Sequence, residues 1–149
     1  MIFVADILGD PNAIRSLTFD PRNYVVLDIK LGEPKSSLVD WEFSEINSFG
    51  WHFLNGGIRV RVVDDVVSEI ALPPNFLTRI GIQTVANLFA AFGEPNGTEE
   101  ICYRERVTRR AYIWQRGFLV WCDAIQETPD YLVLFDPSKP APTHAPDRV

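Results

Sequence analysis

The tripeptide Gly-Glu-Pro stands at residues 32–34 and again at 93–95, 61 residues apart, and each time it closes an apolar run: LDIKL first, LFAAF second. It belongs to a longer collinear series. Laying 3–12 (FVADILGDPN) over 66–75 (VVSEIALPPN) aligns Val4 with Val67, Asp6 with Glu69, Ile7 with Ile70 and Pro11-Asn12 with Pro74-Asn75. Two deleted residues then bring Leu27, Leu31 and Gly32 onto Leu88, Phe92 and Gly93. One further deletion sets Gly57, Ile58 and Val60 over Gly117, Phe118 and Val120. Matches that stay in order with small gaps are the mark of a copied unit. The expectation is two tandem units, 1–65 and 66–136, sharing one core. A Pro-rich tail, 137–149, follows without apolar periodicity and is expected to be loosely held.

Each unit reads as two short helices followed by strands. In the second, Ile82, Val85, Leu88, Phe89 and Phe92 recur at helical spacing. Thr84 is placed to cap that helix, and Gly93 with Pro95 to end it. In the first, Tyr24, Leu27 and Leu31 keep the face, although Val25 and Val26 lower helix propensity. Pro11 and Pro74 each suit the first position of a preceding short helix. Beyond Gly-Glu-Pro the period becomes two. Strands are expected on either side of turns at Gly56-Gly57 and Asp64-Asp65, again in 111–124 and 131–135, with one more strand in each of 41–46 and 101–107. The fold class is α+β: helix pairs on one face of an antiparallel sheet.

Alternation then sorts the strand residues. Ile58, Val60 and Val62 share a face, and Arg59 and Arg61 take the other. The same register puts Phe118, Val120 and Cys122 inward, with Leu119 and Trp121 outward. It also puts Phe53 and Ile113 inward, with His52, Leu54, Tyr112 and Trp114 outward. An outer face of Arg59, Arg61, Tyr112, Trp114, Leu119 and Trp121 is a candidate partner-binding surface, since Tyr, Trp and Arg anchor protein interfaces. The competing reading is that these aromatics are core, because a one-residue shift would turn all of them inward. Residues 103–116 carry five arginines among aromatic residues. They suit either a phosphate- or RNA-binding strip or a solvated hairpin paired with Glu99, Glu100 and Glu105, and the second is favoured.

Chemical motifs are sparse. His52 with Ser44 or Ser48 lacks a nucleophile-elbow sequence, and Cys102 with His52 has nothing to mark a reactive thiol. Asp64-Asp65 reads as a tight turn before it reads as a carboxylate pair. No nucleotide-cradling glycine pattern occurs. No catalytic residue, metal ligand or cofactor is therefore assigned. A net charge of −6 argues against nucleic acid and suits a basic protein partner. Two cysteines, no span of membrane length and no signal-like N-terminus point to the cytoplasm.

A helix pair followed by an antiparallel meander, then repeated, resembles the beta-lactamase inhibitor proteins over roughly residues 2–135. That resemblance implies a joint sheet whose open face grips a target enzyme. The acidic composition and the lack of a disulfide pattern bring the chain closer to small immunity proteins, which block a toxin. The expected function is thus a non-enzymatic protein-binding module. The alternatives are an oligomerising module that self-associates through the aromatic face, as in a homodimer, and a small-ligand carrier or enzyme.

Overall fold

Strand segments drawn from 44–72 and 97–135 build a sheet of eight strands. The structure, a computed structural model, describes residues 5–38, 44–45 (backbone only), 49–54 and 57–146. The sheet contains β3 (Ser44–Glu45), β4 (Trp51–Phe53), β5 (Arg59–Val63), β6 (Val66–Leu72), β7 (Gly97–Tyr103), β8 (Arg106–Trp114), β9 (Phe118–Asp123) and β10 (Thr128–Phe135). Its order is β3-β4-β5-β6-β10-β9-β8-β7, with every neighbouring pair antiparallel. Two short strands, β1 (Ala5–Asp6) and β2 (Tyr24–Val25), form a separate parallel pair. The class is α+β, as the sequence indicates. Of the expected 41–46 strand, residues 41–43 and 46 lie outside the described residues. The expected 101–107 strand is instead divided between β7 and β8 by a turn at Arg104-Glu105, both at positive φ.

The helices match the sequence reading in the second half and depart from it in the first. α1 (Pro74–Arg79) opens on proline, and α2 (Val85–Phe92) is capped as its sequence directs. The Thr84 hydroxyl accepts from the Asn87 amide at 3.1 Å, and Asn87 Oδ1 accepts from the Thr84 amide at 3.2 Å. Gly93 ends α2 at φ 80, a conformation open to glycine at little cost. In the first half, Pro11–Arg15 and Pro21–Asn23 are 3-10 turns. Residues 24–31, expected to be helical, form β2 and a tight turn, with Val26 bridged to Ile29 and Leu27 and Asp28 at φ 51 and 67. The β-branched pair Val25-Val26 prefers this extended form. Asp6 holds the turn by accepting from the Leu27 amide at 3.3 Å. The first Gly-Glu-Pro therefore ends no helix. Its Gly32 amide donates to the Val67 carbonyl at 2.8 Å, and Pro34 bridges to Val66.

Two apolar clusters lie on opposite faces of the sheet. The first joins Ile14, Phe19, Phe76, Leu77, Leu88 and Phe92 of the helical and turn segments to Val60, Ile70, Trp114, Phe118, Val120, Leu132 and Leu134. The second contains Trp51, Ala71, Ala111, Ile113, Leu119, Trp121, Val133 and Phe135, and it includes Ala145 of the tail. Among the described residues, no helix is long and apolar enough to cross a membrane.

Candidate partner-binding face

Strand register brings the residues of the second face into rows. One row crosses seven strands, Phe53–Arg59–Ala71–Val133–Leu119–Ile113–Gly97, each residue opposite the next. A row to one side reads Trp51–Arg61–Glu69–Phe135, and a row to the other reads Tyr131–Trp121–Ala111–Glu99. Arg59, Arg61, Leu119 and Trp121 thus share a face, as the alternation indicates.

Tyr112 and Trp114 do not belong to it. Tyr112 stands opposite Val120 and Trp114 opposite Phe118, so both point into the first cluster. The cause is loop length. A two-residue turn pairs residues of opposite parity, whereas a three-residue loop pairs residues of equal parity. In both hairpins three residues separate the closing pair: the Leu54 amide donates to the Ile58 carbonyl, and Trp114 stands opposite Phe118. Gly57 and Gly117 supply the positive φ. Leu54 and Trp114 consequently turn inward, and Phe53 and Ile113 turn to the second face. Trp114 stacks on Phe118 at 5.4 Å, and its indole N–H donates to the Gly93 carbonyl at 3.3 Å, tying strand β8 to the end of α2.

The second face is not open either. Leu119 is 0% and Trp121 1% exposed. Part of the cover is the segment after β10, which was expected to hang loose. Its described residues, 136–146, form no helix or strand, yet they are fixed at several points. The Trp51 indole N–H donates to the His144 carbonyl at 3.2 Å, and Arg59 Nη1 donates to the Pro146 carbonyl. The His144 ring stacks on Phe49 at 3.9 Å, Ala145 is buried in the second cluster, and Ala141 packs against it. Sequence periodicity could not reveal Trp51 as part of this site. Its place opposite Arg61 is the signal that marks it.

A charged group lies under the same cover. Arg61 donates from Nη1 to Glu69 Oε1 at 3.2 Å and from Nε to the Phe49 carbonyl at 2.7 Å. Burial pushes the Glu69 carboxyl above its usual range, against the opposing pull of Arg61, a Ser68 hydrogen bond and Lys139. Burial also lowers the His144 imidazole, helped by the positive charge of Arg61. Arg59 lies over the Tyr131 ring at 4.7 Å, and Arg109 over Trp121 at 5.7 Å. The arrangement supplies aromatic surfaces and N–H donors aimed at backbone carbonyls.

The other sequence candidates are dispersed. His52 on β4 and Cys102 on β7 are six strands apart, ~29 Å at the usual strand spacing, so they form no dyad. Asp64 and Asp65 are the two centres of a tight turn, at φ 53 and 62. The arginine-rich segment is a hairpin in which Arg110 pairs with Glu100 at 2.9 Å, and Arg109 reaches Asp130 at 3.8 Å. Clefts of about 260 Å³ beside Phe19 and Tyr24, and about 200 Å³ beside Leu27 and Phe76, are smaller than the roughly 300–1,000 Å³ of small-molecule sites. No protein-family model, curated protein or solved structure matches the chain.

Proposed function

We propose that this chain is a non-enzymatic protein-binding module, of the kind represented by immunity and inhibitor proteins, and that it engages its partner through the second sheet face. One observation carries the reading. An aromatic and arginine-bearing face is covered at Trp51 and Arg59 by a single segment outside the sheet, held in part through its backbone carbonyls, where a layer of helices would be the permanent solution. A cover of this kind can be exchanged for a partner segment without dismantling the sheet. The net charge of −6 favours the approach of a basic partner, while the contact itself pairs N–H donors with neutral carbonyls. Two free cysteines suit a reducing compartment such as the cytoplasm.

The reading includes a duplicated origin for the sheet. The grouping takes β6 (Val66–Leu72), which opens the second unit in the sequence alignment, together with β3–β5: from the β6–β10 seam outward, each set of four strands then runs in reverse chain order. Self-association through the aromatic face would require the same displacement of the tail. The test is affinity capture from native lysate with wild-type chain, Ala145→Lys and Arg59→Ala. A partner captured more strongly by Ala145→Lys and less by Arg59→Ala supports the proposal. A partner captured equally by all three sinks it.

A further inference from the structure

The chemistry of the covering segment indicates what else the face would take. Residues 136–146 read DPSKPAPTHAP, with proline at 137, 140, 142 and 146. Proline lacks an N–H, so such a segment cannot add to a sheet as a paired strand, but it presents carbonyl acceptors. It is also already extended in solution, which lowers the ordering cost of docking. A surface that recognises it needs apolar contacts and N–H donors aimed at carbonyls. The second face has both. The carbonyls of His144 and Pro146 lie two residues apart on the tail, and their donors Trp51 and Arg59 are offset by two residues in register, since Trp51 stands opposite Arg61. Both spacings are about 6–7 Å in extended chain, so the tail runs along the strands and the donors read alternate carbonyls. Between these two contacts, Ala145 is small enough to sit within the cluster at 7% exposure. Phe49 and Tyr131 supply ring surfaces at either side, under His144 and Arg59 respectively.

Resting on the binding role proposed above, we infer that the second face is a receptor for an extended proline-rich peptide, and that residues 137–146 occupy it in cis. The partner then presents a proline-containing segment with a small residue between two exposed carbonyls, and it binds by displacing the tail. The tail sets the threshold for binding by competing for the same donors.

The experiment titrates a fluorescein-labelled peptide of residues 136–149 into full-length chain, followed by anisotropy. Ala145→Lys places a long cation where a buried methyl sits and opens the face. His144→Ala, which removes the ring stacked on Phe49 and keeps Cβ, is a gentler second opening, and an unchanged circular dichroism melt certifies either variant. The expected result is at least tenfold tighter binding to the opened chains than to wild type. Adding Trp51→Phe to an opened chain, which keeps a ring and deletes the N–H, is expected to weaken binding about fivefold or more. A peptide with its prolines changed to alanine is expected to bind less well. Equal affinity in wild-type and opened chains, or equal affinity for prolyl and alanyl peptides, overturns the inference. A wild-type chain that dimerises with concentration and takes no peptide assigns the face to a second copy, and overturns it too. If opened chains capture a protein partner but bind no peptide, this inference fails while the binding role stands. If they capture neither, both fail.

Discussion

The indole N–H of Trp51 donates to the carbonyl of His144 across 93 residues of chain, and this contact closes the C-terminal segment over the sheet. A neutral hydrogen bond of this type contributes about 0.5–1.5 kcal/mol. Trp51→Phe is expected to loosen residues 141–146 and leave the sheet intact. Amide exchange at His144 and Ala145 should speed up, while exchange in β9 and β10 stays unchanged. Faster exchange throughout the sheet would mean that Trp51 supports the core rather than the strap.

Trp114 and Trp121, two of the three buried tryptophans among the described residues, should behave as core residues. Trp114 is sealed among Phe92, Phe118 and the end of α2, and Trp121 lies beneath Arg109 on the other face. Truncating either to alanine removes a large buried ring, with an expected loss of about 3–5 kcal/mol in urea unfolding. A melt that stayed at the wild-type temperature would show these rings to be exposed in solution.

The Arg61–Glu69 pair gives a pH-dependent prediction. Arg61→Met leaves a buried carboxylate without its main partner, at an expected cost of about 3 kcal/mol at neutral pH. Burial raises the Glu69 pKa, so the carboxyl is neutralised at a higher pH than an ordinary carboxylate, and the cost of Arg61→Met should shrink as the pH is lowered. Arg61→Met/Glu69→Gln should recover most of the loss at neutral pH. A cost that does not change with pH would contradict the assignment.

His144 acts in the opposite sense. Its pKa in the seated tail lies below the ordinary 6.5, so the free tail binds the proton more readily than the seated one. Seating is strongest above pH 6.5 and weakens as pH falls through and below that value. The groups facing the ring are Phe49 and the cation of Arg61, with Glu69 and Lys139 behind them. The protection of the Ala145 amide, corrected for the intrinsic exchange rate, should fall between pH 7 and 5.5 in wild type. In His144→Phe, where the ring stack persists without a titrating group, it should stay constant.

The cysteines should separate cleanly. Cys102 is exposed, whereas Cys122 is buried and its thiol is pushed up to about 12. At pH 8 the native chain should react with one equivalent of a thiol reagent, and the urea-unfolded chain with two. Two fast equivalents in the native state would show β9 to be open.

How far the sequence carries differs from element to element. Helix α2 was legible from its apolar spacing, Thr84 and Gly93, because the determinants of a capped helix are local. Alternation in β5 and β9 was legible for the same reason. The parity of β4 and β8 was not, because it depends on a third residue in each hairpin loop, and one residue decides which face Trp114 takes. Tyr24, Leu27 and Leu31 mimic a helical stripe, but the extended preference of Val25-Val26 and the Asp6 contact override it. The tail was illegible for a deeper reason. Its attachment uses backbone carbonyls, which every residue possesses, and the donors that single them out lie in a strand and a hairpin partner far away in sequence.

The central claim is that the tail occupies the second face and leaves it on demand. The most direct measurement is the nuclear Overhauser cross-peak between the Trp51 indole proton and His144 Hα in the full chain. We predict a strong cross-peak in the free chain that disappears in Ala145→Lys while the Trp114 indole contacts to the end of α2 persist. Its absence from the free chain, with the sheet folded, would contradict the account.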